Sequence, residues 1–127
     1  MSITQDSLSI SEVAEATGLT VHTLRYYERA GLMLHAVDRA SSQHRRYSSA
    51  DVTWVQFLTR LRSTSMPIAR MREYVQLVRL GDDTTEARRD LLLEHRITVA
   101  AQLETMTQSL AHIDYKIANY TMKVDGS

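Results

Sequence analysis

The C-terminal third of the chain constrains the fold most, because residues 84–120 contain neither proline nor glycine. Mostly apolar side chains recur there at alternating spacings of four and three residues, the heptad pattern of a coiled coil. These seam positions are Leu92, Arg96, Val99, Leu103, Met106, Leu110, Ile113, Ile117 and Tyr120, and only Arg96 interrupts the apolar series. At about 1.5 Å per residue such a helix runs roughly 55 Å, too long to bury its stripe on its own small domain. The pattern therefore predicts a long helix that needs a partner helix.

The N-terminal part of the chain has the pattern of two short helices separated by a tight turn. Ile10, Val13 and Ala14 recur at helical spacing in the block LSISEVAEATG, residues 8–18. Gly18 is the expected break after this helix, and Thr20 is the expected N-cap of the next one. A helix, a turn and a second helix in this order indicate a helix-turn-helix.

The second helix, which begins the stretch HTLRYYERAGLM of residues 22–33, has two faces of opposite character. At about 100° per residue, one side carries the polar set His22, Arg25, Tyr26 and Arg29. Another side carries Val21, Leu24 and Tyr27. The second face is suited to packing and the first to a polyanion, so this is the expected recognition helix.

A β-hairpin wing is predicted after the recognition helix. Residues 32–37 and 44–47 are the strand candidates, and a polar loop over residues 38–43 joins them.

Two further helices are predicted between the wing and the long helix. Ser48 or Ser49 caps the first, which carries Asp51 in its first turn and ends near Ser63. Pro67 opens the second helix. Their apolar stripes are Val52, Val55, Leu58 and Leu61 in the first and Ile68, Met71, Val75 and Val78 in the second.

The order of these blocks resembles the MerR family of bacterial transcription regulators. The likeness is carried by SISEVAEATGLTVHTLRYYERAGLM, by the later RRYSSADV and by FLTRLRSTSMPIARMREYVQLVRLG. The specific part is LRYYERAGL followed by RRY, and the likeness covers residues 8–120. The segments EYVQLVRLGDDT, LLEHR and DYKIANY further resemble a branch of small regulators associated with reactive aldehyde or related stress. In the turn STSMP, Ser65 stands where the family usually has glycine.

The resemblance implies a mainly α fold: a winged helix-turn-helix DNA-binding domain with a short β-hairpin wing, followed by a long C-terminal dimerisation helix. That helix pairs antiparallel with its copy in a homodimer. We therefore divide the chain into a DNA-binding domain, residues 1–80, and a coiled-coil dimerisation helix with its tail, residues 81–127. The residues assigned to dimerisation are Leu92, Val99, Leu103, Met106, Leu110, Ile113 and Ile117.

The residues expected to contact DNA occupy motif positions. They are His22, Thr23, Arg25, Tyr26, Tyr27 and Arg29 on the recognition helix, Arg45, Arg46 and Tyr47 in the wing, and Arg60 and Arg62 before the second turn. Each has a plainer alternative, since the arginines could be solvated surface charges and the wing residues could serve hairpin packing. Tyr26 is favoured over Tyr27, because its hydroxyl is expected to point outward toward a phosphate, whereas Tyr27 lies at the edge of the packed face.

The sequence contains no candidate site for catalysis, metal binding or membrane insertion. The chain has no cysteine, which excludes disulfides, thiolate metal sites and a thiol switch within it. The five histidines lack HxxxH and HExxH spacing, and no catalytic triad, carboxylate pair or glycine-rich phosphate motif stands out. No apolar run approaches the roughly 20 residues needed to cross a bilayer. We therefore predict no enzyme activity, metal, cofactor or membrane partner, and a bacterial cytoplasmic protein that joins the nucleoid when bound.

An effector site has two interpretations. Family members that sense metals use cysteines near the start of the dimerisation helix, and others carry a long C-terminal extension; this sequence has neither. Trp54, Phe57, Met71 and Tyr74 are an apolar and aromatic set. They line a small pocket beside the partner's long helix in one interpretation, and are ordinary core in the other. Because the sequence has no cysteine, an effector either binds non-covalently or is absent.

The charge of the chain is unevenly distributed although its net value is zero. Residues 1–80 carry 10 Lys and Arg against 7 Asp and Glu, whereas residues 81–127 carry 5 against 8. The first segment is therefore the expected nucleic-acid end.

The expected function is regulation of transcription. A homodimer binds a palindromic promoter element, and the resemblance implies that it bends and untwists an overlong spacer between the two elements that RNA polymerase recognises. The partners are double-stranded promoter DNA, a second copy of the chain and, indirectly, RNA polymerase; a small-molecule effector is unknown. Two alternatives stay open: an architectural DNA-binding protein without an effector, and a coiled-coil module that binds another protein.

Overall fold

A computed structural model of the chain describes residues 7–34, 38–39 and 45–126. The elements in chain order are α1 Ile10–Thr17, α2 Val21–Arg29, β1 Asp38–Arg39, β2 Arg45–Arg46, α3 Ser49–Ser63, α4 Ile68–Arg79, a 3₁₀ turn Asp82–Thr84 and α5 Thr85–Gly126. By its internal contacts the chain divides into two compact units, Met1–Arg88 and Arg89–Ser127. The functional division into residues 1–80 and 81–127 stays a prediction.

The first two helices are defined by their caps. The Ser9 hydroxyl accepts a hydrogen bond from the Glu12 backbone N–H at 3.1 Å, and the Glu12 carboxylate accepts one from the Ser9 N–H at 2.7 Å. This reciprocal pair is a capping box, which satisfies two backbone donors at the start of α1. Gly18 ends α1 with a left-handed φ of 76°, and Thr20 caps α2. The predicted break at Gly18 and cap at Thr20 are confirmed.

The next two helices also begin as the sequence predicts. The Ser48 hydroxyl accepts from the Asp51 N–H at 3.1 Å, and the Asp51 carboxylate accepts from the Ser48 N–H at 2.8 Å. Ser48 rather than Ser49 is therefore the cap of α3, and the helix ends at Ser63. Pro67 occupies the N-cap position of α4, one residue before the helix itself.

The predicted wing is wrong in its first strand. Strand pairing is limited to two residues on each side, with Asp38 opposite Arg46 and Arg39 opposite Arg45, so β1 begins inside the predicted loop. An extended hairpin is not seen among the described residues, and residues 35–37 and 40–44 lie outside them. Leu32 instead donates its N–H to the Tyr27 carbonyl at 3.0 Å, which continues the end of α2.

Neighbouring side chains give the physical reason for this difference. Leu32 and Met33 are both buried, whereas consecutive residues of a strand point to opposite faces. The carbonyl oxygens of residues 32–34 accept hydrogen bonds from side chains of α3 and α4 instead of from a paired strand. Tertiary contacts therefore replace the ladder that the local pattern predicts.

The core of the first unit lies between α1, α2, α3 and α4. α1 packs against α2 and α3, and α3 packs against α4. The fully buried apolar side chains are Val13, Leu24, Leu32, Val55, Leu58, Met66, Met71 and Val75. The apolar stripes predicted for α3 and α4 are confirmed as buried or half-buried faces.

The long helix is continuous from Thr85 to Gly126. Its start is fixed by Thr84, whose hydroxyl donates to the Leu77 carbonyl at 2.6 Å, and by Arg88, whose guanidinium donates to the Gly81 carbonyl at 2.6 Å. The predicted helix over residues 84–120 is confirmed, and it extends six residues further. Within the described part of the chain, no helix combines the length and the apolar character that a membrane span requires.

Candidate nucleic-acid interface

The two faces predicted for α2 are present in the structure. Leu24 and Tyr27 are 1% and 4% exposed and lie in the core. His22, Arg25, Tyr26 and Arg29 are all exposed on the other side of the helix, Tyr26 by 40%. The helix therefore offers an outward row with two guanidinium groups, an imidazole and a phenol, all of them able to donate hydrogen bonds to DNA.

Thr23 lies at the start of this row and also takes part in the helix cap. Its backbone N–H donates to the Thr20 hydroxyl at 3.0 Å, and the two hydroxyl oxygens are also 3.0 Å apart. Thr23 is half-buried. The cap fixes the first turn of α2, which is the part of a recognition helix that reaches base edges.

Two of the tyrosines predicted to contact DNA are packing residues in this chain. Tyr27 is buried against the core, and Tyr47 is 1% exposed, with its hydroxyl donating to the Glu28 carboxylate. The backbone of Tyr47 is also paired with Leu8, through N–H to carbonyl distances of 2.8 and 2.9 Å. Side chains this buried offer little surface to DNA, so packing is their observed role and contact of Tyr27 and Tyr47 with DNA stays a prediction.

The wing arginines hold neighbouring positions in β2. Arg46 is half-buried, and the backbone of Arg45 pairs with Arg39. The side chain of Arg45 lies outside the described part of the structure. Contact of these arginines with DNA stays a prediction.

Arg60 and Arg62 are both exposed in the last turn of α3. Arg62 donates from Nη1 to the Met66 carbonyl at 3.1 Å, which ties it to the turn that follows. Arg60 instead lines an open cleft together with Thr17, at the end of α1, and Ser63. The two arginines therefore differ in their surroundings. Arg62 stabilises the turn that follows α3, and Arg60 lies beside the end of α1.

Ser65 has the backbone conformation that glycine most readily adopts. Its φ is 72°, the only positive value at a non-glycine residue in the described chain. The following residue, Met66, is buried and donates its N–H to the Leu61 carbonyl at 3.0 Å. The turn thus keeps a left-handed geometry at the position where the sequence departs from the family pattern.

Sequence reasoning missed two arginines of α4 that hold the segment after α2. Arg72 donates to the Ala30 carbonyl at 2.8 Å, and Arg79 donates to the carbonyls of Leu34, at 2.9 Å, and Met33. These contacts cross 42 to 46 residues of sequence. A surface arginine on a helix carries no local signal for such a partner, so nothing in the sequence would have identified them.

The aromatic set predicted as core or pocket forms one cluster. Trp54 and Tyr74 are stacked with ring centroids 5.9 Å apart, and Phe57 lies 6.5 Å from Trp54 and 5.6 Å from Tyr74. Met71 is fully buried. The rings cover one another within a single chain, as ordinary core residues do, and the pocket interpretation stays a prediction.

Tyr74 is the one member of the cluster with a perturbed ionisation. Burial raises the pKa of its hydroxyl above the ordinary value of 10.0, and the positive charge of Arg88 lowers the pKa by a smaller amount. The Tyr74 ring is therefore neutral throughout the physiological range. Elsewhere in the described residues, no three His, Asp or Glu side chains come close enough together to hold a metal ion.

The seam of α5 is open to solvent in the single chain. Leu92 and Val99 are half-buried, and the other residues assigned to dimerisation are 55–69% exposed. These others are Leu103, Met106, Leu110, Ile113 and Ile117. Exposed apolar side chains in a continuous row usually mark a surface that another molecule covers.

Comparison with known proteins matches these features to one family. A family model described as MerR HTH family regulatory protein matches residues 8–77, and a second, described as MerR, DNA binding, matches residues 52–115. The chain is 40% identical over 89 residues to the HTH-type transcriptional regulator AdhR of Bacillus subtilis. That match covers 70% of this chain and 63% of AdhR, so the chain spans less than two thirds of that relative.

Solved structures agree with the sequence comparison. A crystal structure of a MerR family transcriptional regulator from Listeria monocytogenes superposes with a TM-score of 0.87 at 35% identity, over 93% of this chain and 89% of that one. HiNmlR, a MerR family regulator lacking the sensor domain and bound to promoter DNA, superposes with a TM-score of 0.82 at 30% identity, over 95% and 96% of the two chains. The protein belongs to the MerR family of helix-turn-helix transcriptional regulators.

Proposed function

We propose that this regulator binds promoter DNA through the outward row of α2. One observation carries the proposal: His22, Arg25, Tyr26 and Arg29 face solvent while Leu24 and Tyr27 anchor the helix in the core. A helix held in this way presents its polar side chains to the major groove without losing its packing. The promoter-bound state of HiNmlR, with the same fold and 30% identity, supports the assignment.

The phosphate contacts are assigned to arginines beside α2. Arg60 and Arg62 are exposed, and Arg46 is half-buried in β2. Arg62 uses one nitrogen on the Met66 carbonyl, which leaves other guanidinium donors for a phosphate. Contacts of this kind fix the register of a protein on the duplex but carry no sequence information. Arg45 belongs to the same assignment by its position in β2.

The DNA-binding unit is a homodimer held by α5. The exposed seam supports this, because a row of apolar side chains is stabilised when a second helix covers it. A two-fold dimer presents two recognition helices to two half-sites, which makes the element palindromic. No catalytic step belongs to this function, and a regulator of this kind acts in the bacterial cytoplasm at promoters that RNA polymerase occupies.

The mode of action is deformation of the promoter spacer. Two recognition helices joined by a rigid coiled coil cannot change their separation freely, so the DNA has to bend and untwist to meet both. Bending a site of this length costs about 1–6 kcal/mol on elastic estimates, which contacts from both halves of a dimer can offset. The protein then regulates transcription by changing the shape of an overlong spacer, and with it the relative placement of the two elements that RNA polymerase recognises.

A DNA titration tests the binding function. Genomic fragments selected by the protein supply the operator, which is then compared with a random duplex of equal length at several salt concentrations. We expect the affinity for the operator to exceed the affinity for random DNA by about 10³-fold or more. A ratio near one would favour the architectural alternative, and no binding at low salt would favour the protein-interaction module.

Transcription in vitro from promoters of different spacer length tests the mode of action. Shortening the spacer by one or two base pairs is expected to make transcription independent of the protein while its binding is kept. An unchanged effect at every spacer length, or straight DNA in circularly permuted fragments, would support steric repression or recruitment instead.

A further inference from the structure

The seam of α5 contains one charged residue that its own helix leaves without an opposite charge. Arg96 interrupts the apolar series, and the residues three and four positions away are Leu92, Leu93, Val99 and Ala100. Salt bridges within a helix form at these spacings, and none of these four residues is acidic. The positive charge of Arg96 therefore has to be compensated by water or by another molecule.

Asp114 is in the corresponding situation at the edge of the same face. Its neighbours at three and four positions are Leu110, Ala111, Ile117 and Ala118, so the sequence gives it no cation at the spacings that favour a salt bridge within a helix. At 100° per residue, Asp114 lies within about 60° of the seam, on the same flank as Arg96. One basic and one acidic residue thus border a single apolar surface, each without a local partner.

The occupant of this surface follows from the proposed homodimer, on which this inference rests. In an antiparallel pair, positions separated by alternating steps of four and three residues meet across the interface in fixed layers. Sliding one helix by a full heptad, which moves the two-fold axis by half a heptad, restores the layers, so three central registers keep mostly apolar residues opposite one another. The three differ in what they place against Arg96.

In the first register the two-fold axis passes between Glu104 and Thr105. The layers are then Leu92 with Ile117, Arg96 with Ile113, Val99 with Leu110, and Leu103 with Met106. Arg96 lies about 13 Å from the axis, and Asp114 lies about 14 Å from it on the other side, at 1.5 Å per residue. The two-fold operation therefore brings Asp114 of the second copy level with Arg96.

The second register moves the axis to residue 108 and places Arg96 against Tyr120. That ring already has two ammonium groups near it, since the Nζ atoms of Lys116 and Lys123 each lie 5.9 Å from its centroid. A guanidinium added there meets two like charges. The first register brings Arg89 to the same ring, but Arg89 is paired with the Asp90 carboxylate at 3.2 Å, whereas Arg96 has no acidic residue three or four positions away. The second register is therefore disfavoured.

The third register moves the axis to residue 101 and places Arg96 against Met106. A charge covered by an apolar side chain loses hydration and gains no partner. Asp114 then faces Arg89, which already forms a salt bridge with Asp90 at 3.2 Å. The first register alone gives both Arg96 and Asp114 an oppositely charged partner.

We propose that Arg96 and Asp114 form a reciprocal ion pair between two copies of α5, and that this pair fixes the antiparallel register with its axis between Glu104 and Thr105. Because of the two-fold symmetry, the pair occurs twice in each dimer. The apolar layers supply the attraction between the helices, and the ion pairs select one of three nearly equivalent alignments. A polar residue at a single seam position commonly has this selecting role in coiled coils.

Cysteine cross-linking distinguishes the three registers directly, and the chain has no native cysteine to interfere. Full-length Val99→Cys, with an affinity tag, is mixed in turn with Leu110→Cys, Ile117→Cys and Leu103→Cys, and each mixture is oxidised. We expect a tagged-to-untagged disulfide mainly with Leu110→Cys. Cross-linking mainly with Ile117→Cys or Leu103→Cys overturns the proposed register, and self-linking of Val99→Cys on its own overturns it as well.

Charge reversal tests the ion pair itself. Arg96→Glu and Asp114→Arg are each expected to weaken dimerisation roughly tenfold, because each removes two pairs and creates like-charge contacts. The double variant is expected to recover most of the loss in the dissociation constant measured by sedimentation. Glu104→Arg is the matched control, since it reverses a charge on the opposite side of the helix and is expected to change dimerisation less than twofold.

The outcomes separate this inference from the proposed function. A dimer that cross-links at Leu110 and is rescued by the double reversal supports the proposal. A dimer of unchanged affinity in both single reversals overturns the ion pair while leaving the homodimer intact. A wild-type chain that stays monomeric at micromolar concentration overturns both.

Discussion

Trp54 of α3 and Leu32, which lies just beyond α2, are joined by a hydrogen bond. The indole Nε1 donates to the Leu32 carbonyl oxygen at 2.8 Å, across 22 residues of sequence. The Trp54 ring is stacked on Tyr74 of α4, so this bond links the end of the recognition helix to the aromatic cluster. The segment that follows α2 is therefore held by residues of α3 and α4 that lie outside the outward row of α2.

Trp54→Phe tests this link. The substitution keeps an aromatic ring but removes the donor, which leaves a buried carbonyl without its partner at a cost of about 1–3 kcal/mol. Urea denaturation measures the loss, with the exposed residue Gln56→Ala on the same helix as the control, expected to change stability by less than about 0.5 kcal/mol. Equal stability of Trp54→Phe and the wild type would show that the bond contributes nothing.

Arg25 and Tyr26 are expected to differ in how they contribute to DNA binding. Arg25→Ala is predicted to cost about 1–3 kcal/mol on the operator and less on random DNA, because a base contact is lost. Tyr26→Phe is predicted to weaken both alike, because a phosphate contact carries no sequence information. Fluorescence anisotropy on both duplexes measures the two effects. Equal losses on the two DNAs for Arg25→Ala would remove its base-reading role.

Ser65→Gly is predicted to stabilise the protein. A side chain at a φ of 72° is strained, and glycine relieves this at the expense of greater freedom in the unfolded chain, for a net gain of about 0.5–1 kcal/mol. Ser63→Gly, inside the last turn of α3, is the matched control and is predicted to destabilise. Thermal unfolding of the two variants checks the opposite signs; a loss of stability in both would contradict the strain argument.

Leu110→Asp is predicted to break the homodimer. Leu110 is an exposed seam residue in the single chain, and a carboxylate placed in an apolar interface costs several kcal/mol. Sedimentation velocity measures the oligomeric state, and Thr105→Asp, on the side of α5 away from the seam, is expected to stay dimeric. A dimeric Leu110→Asp would mean that the seam is not the main interface.

Tyr74 is predicted to make the stability of the protein fall at alkaline pH. Its folded pKa is raised, so its contribution is complete below about pH 10 and is lost as the pH rises from there through the folded value. In Tyr74→Phe this part of the alkaline decline should be absent. Urea midpoints for both proteins at about pH 8 and about pH 11 provide the comparison, and identical declines would show that other groups are responsible.

The sequence predicts helix boundaries well where local chemistry sets them. Gly18, Thr20 and Ser48 act on backbone groups within three or four residues of themselves, so their roles can be read from spacing alone. The same holds for the two faces of α2, because helical periodicity determines which residues lie together. DNA contact by the outward face remains a prediction in this chain.

The structure differs from the sequence-based expectations where contacts with distant residues determine the local conformation. Residues 32–34 have the composition of a strand, but the side chains of Trp54 and Arg79 donate hydrogen bonds to their carbonyl groups. Tyr47 lies in a motif associated with DNA contact, but its hydroxyl meets Glu28 in the interior. Neither partner can be identified from spacing, since the pairs are separated by 19 to 46 residues.

The two α4 arginines also determine when the segment after α2 can gain its tertiary contacts during synthesis. Arg72 and Arg79 hold the carbonyls of Ala30, Met33 and Leu34, so a nascent chain that has not yet exposed α4 lacks these contacts. Ribosomes add roughly 5–20 residues per second, which leaves the end of α2 without these partners for seconds after it emerges. The proposed DNA-binding helix is thus translated early, but the segment that follows it gains these contacts only after α4 has emerged.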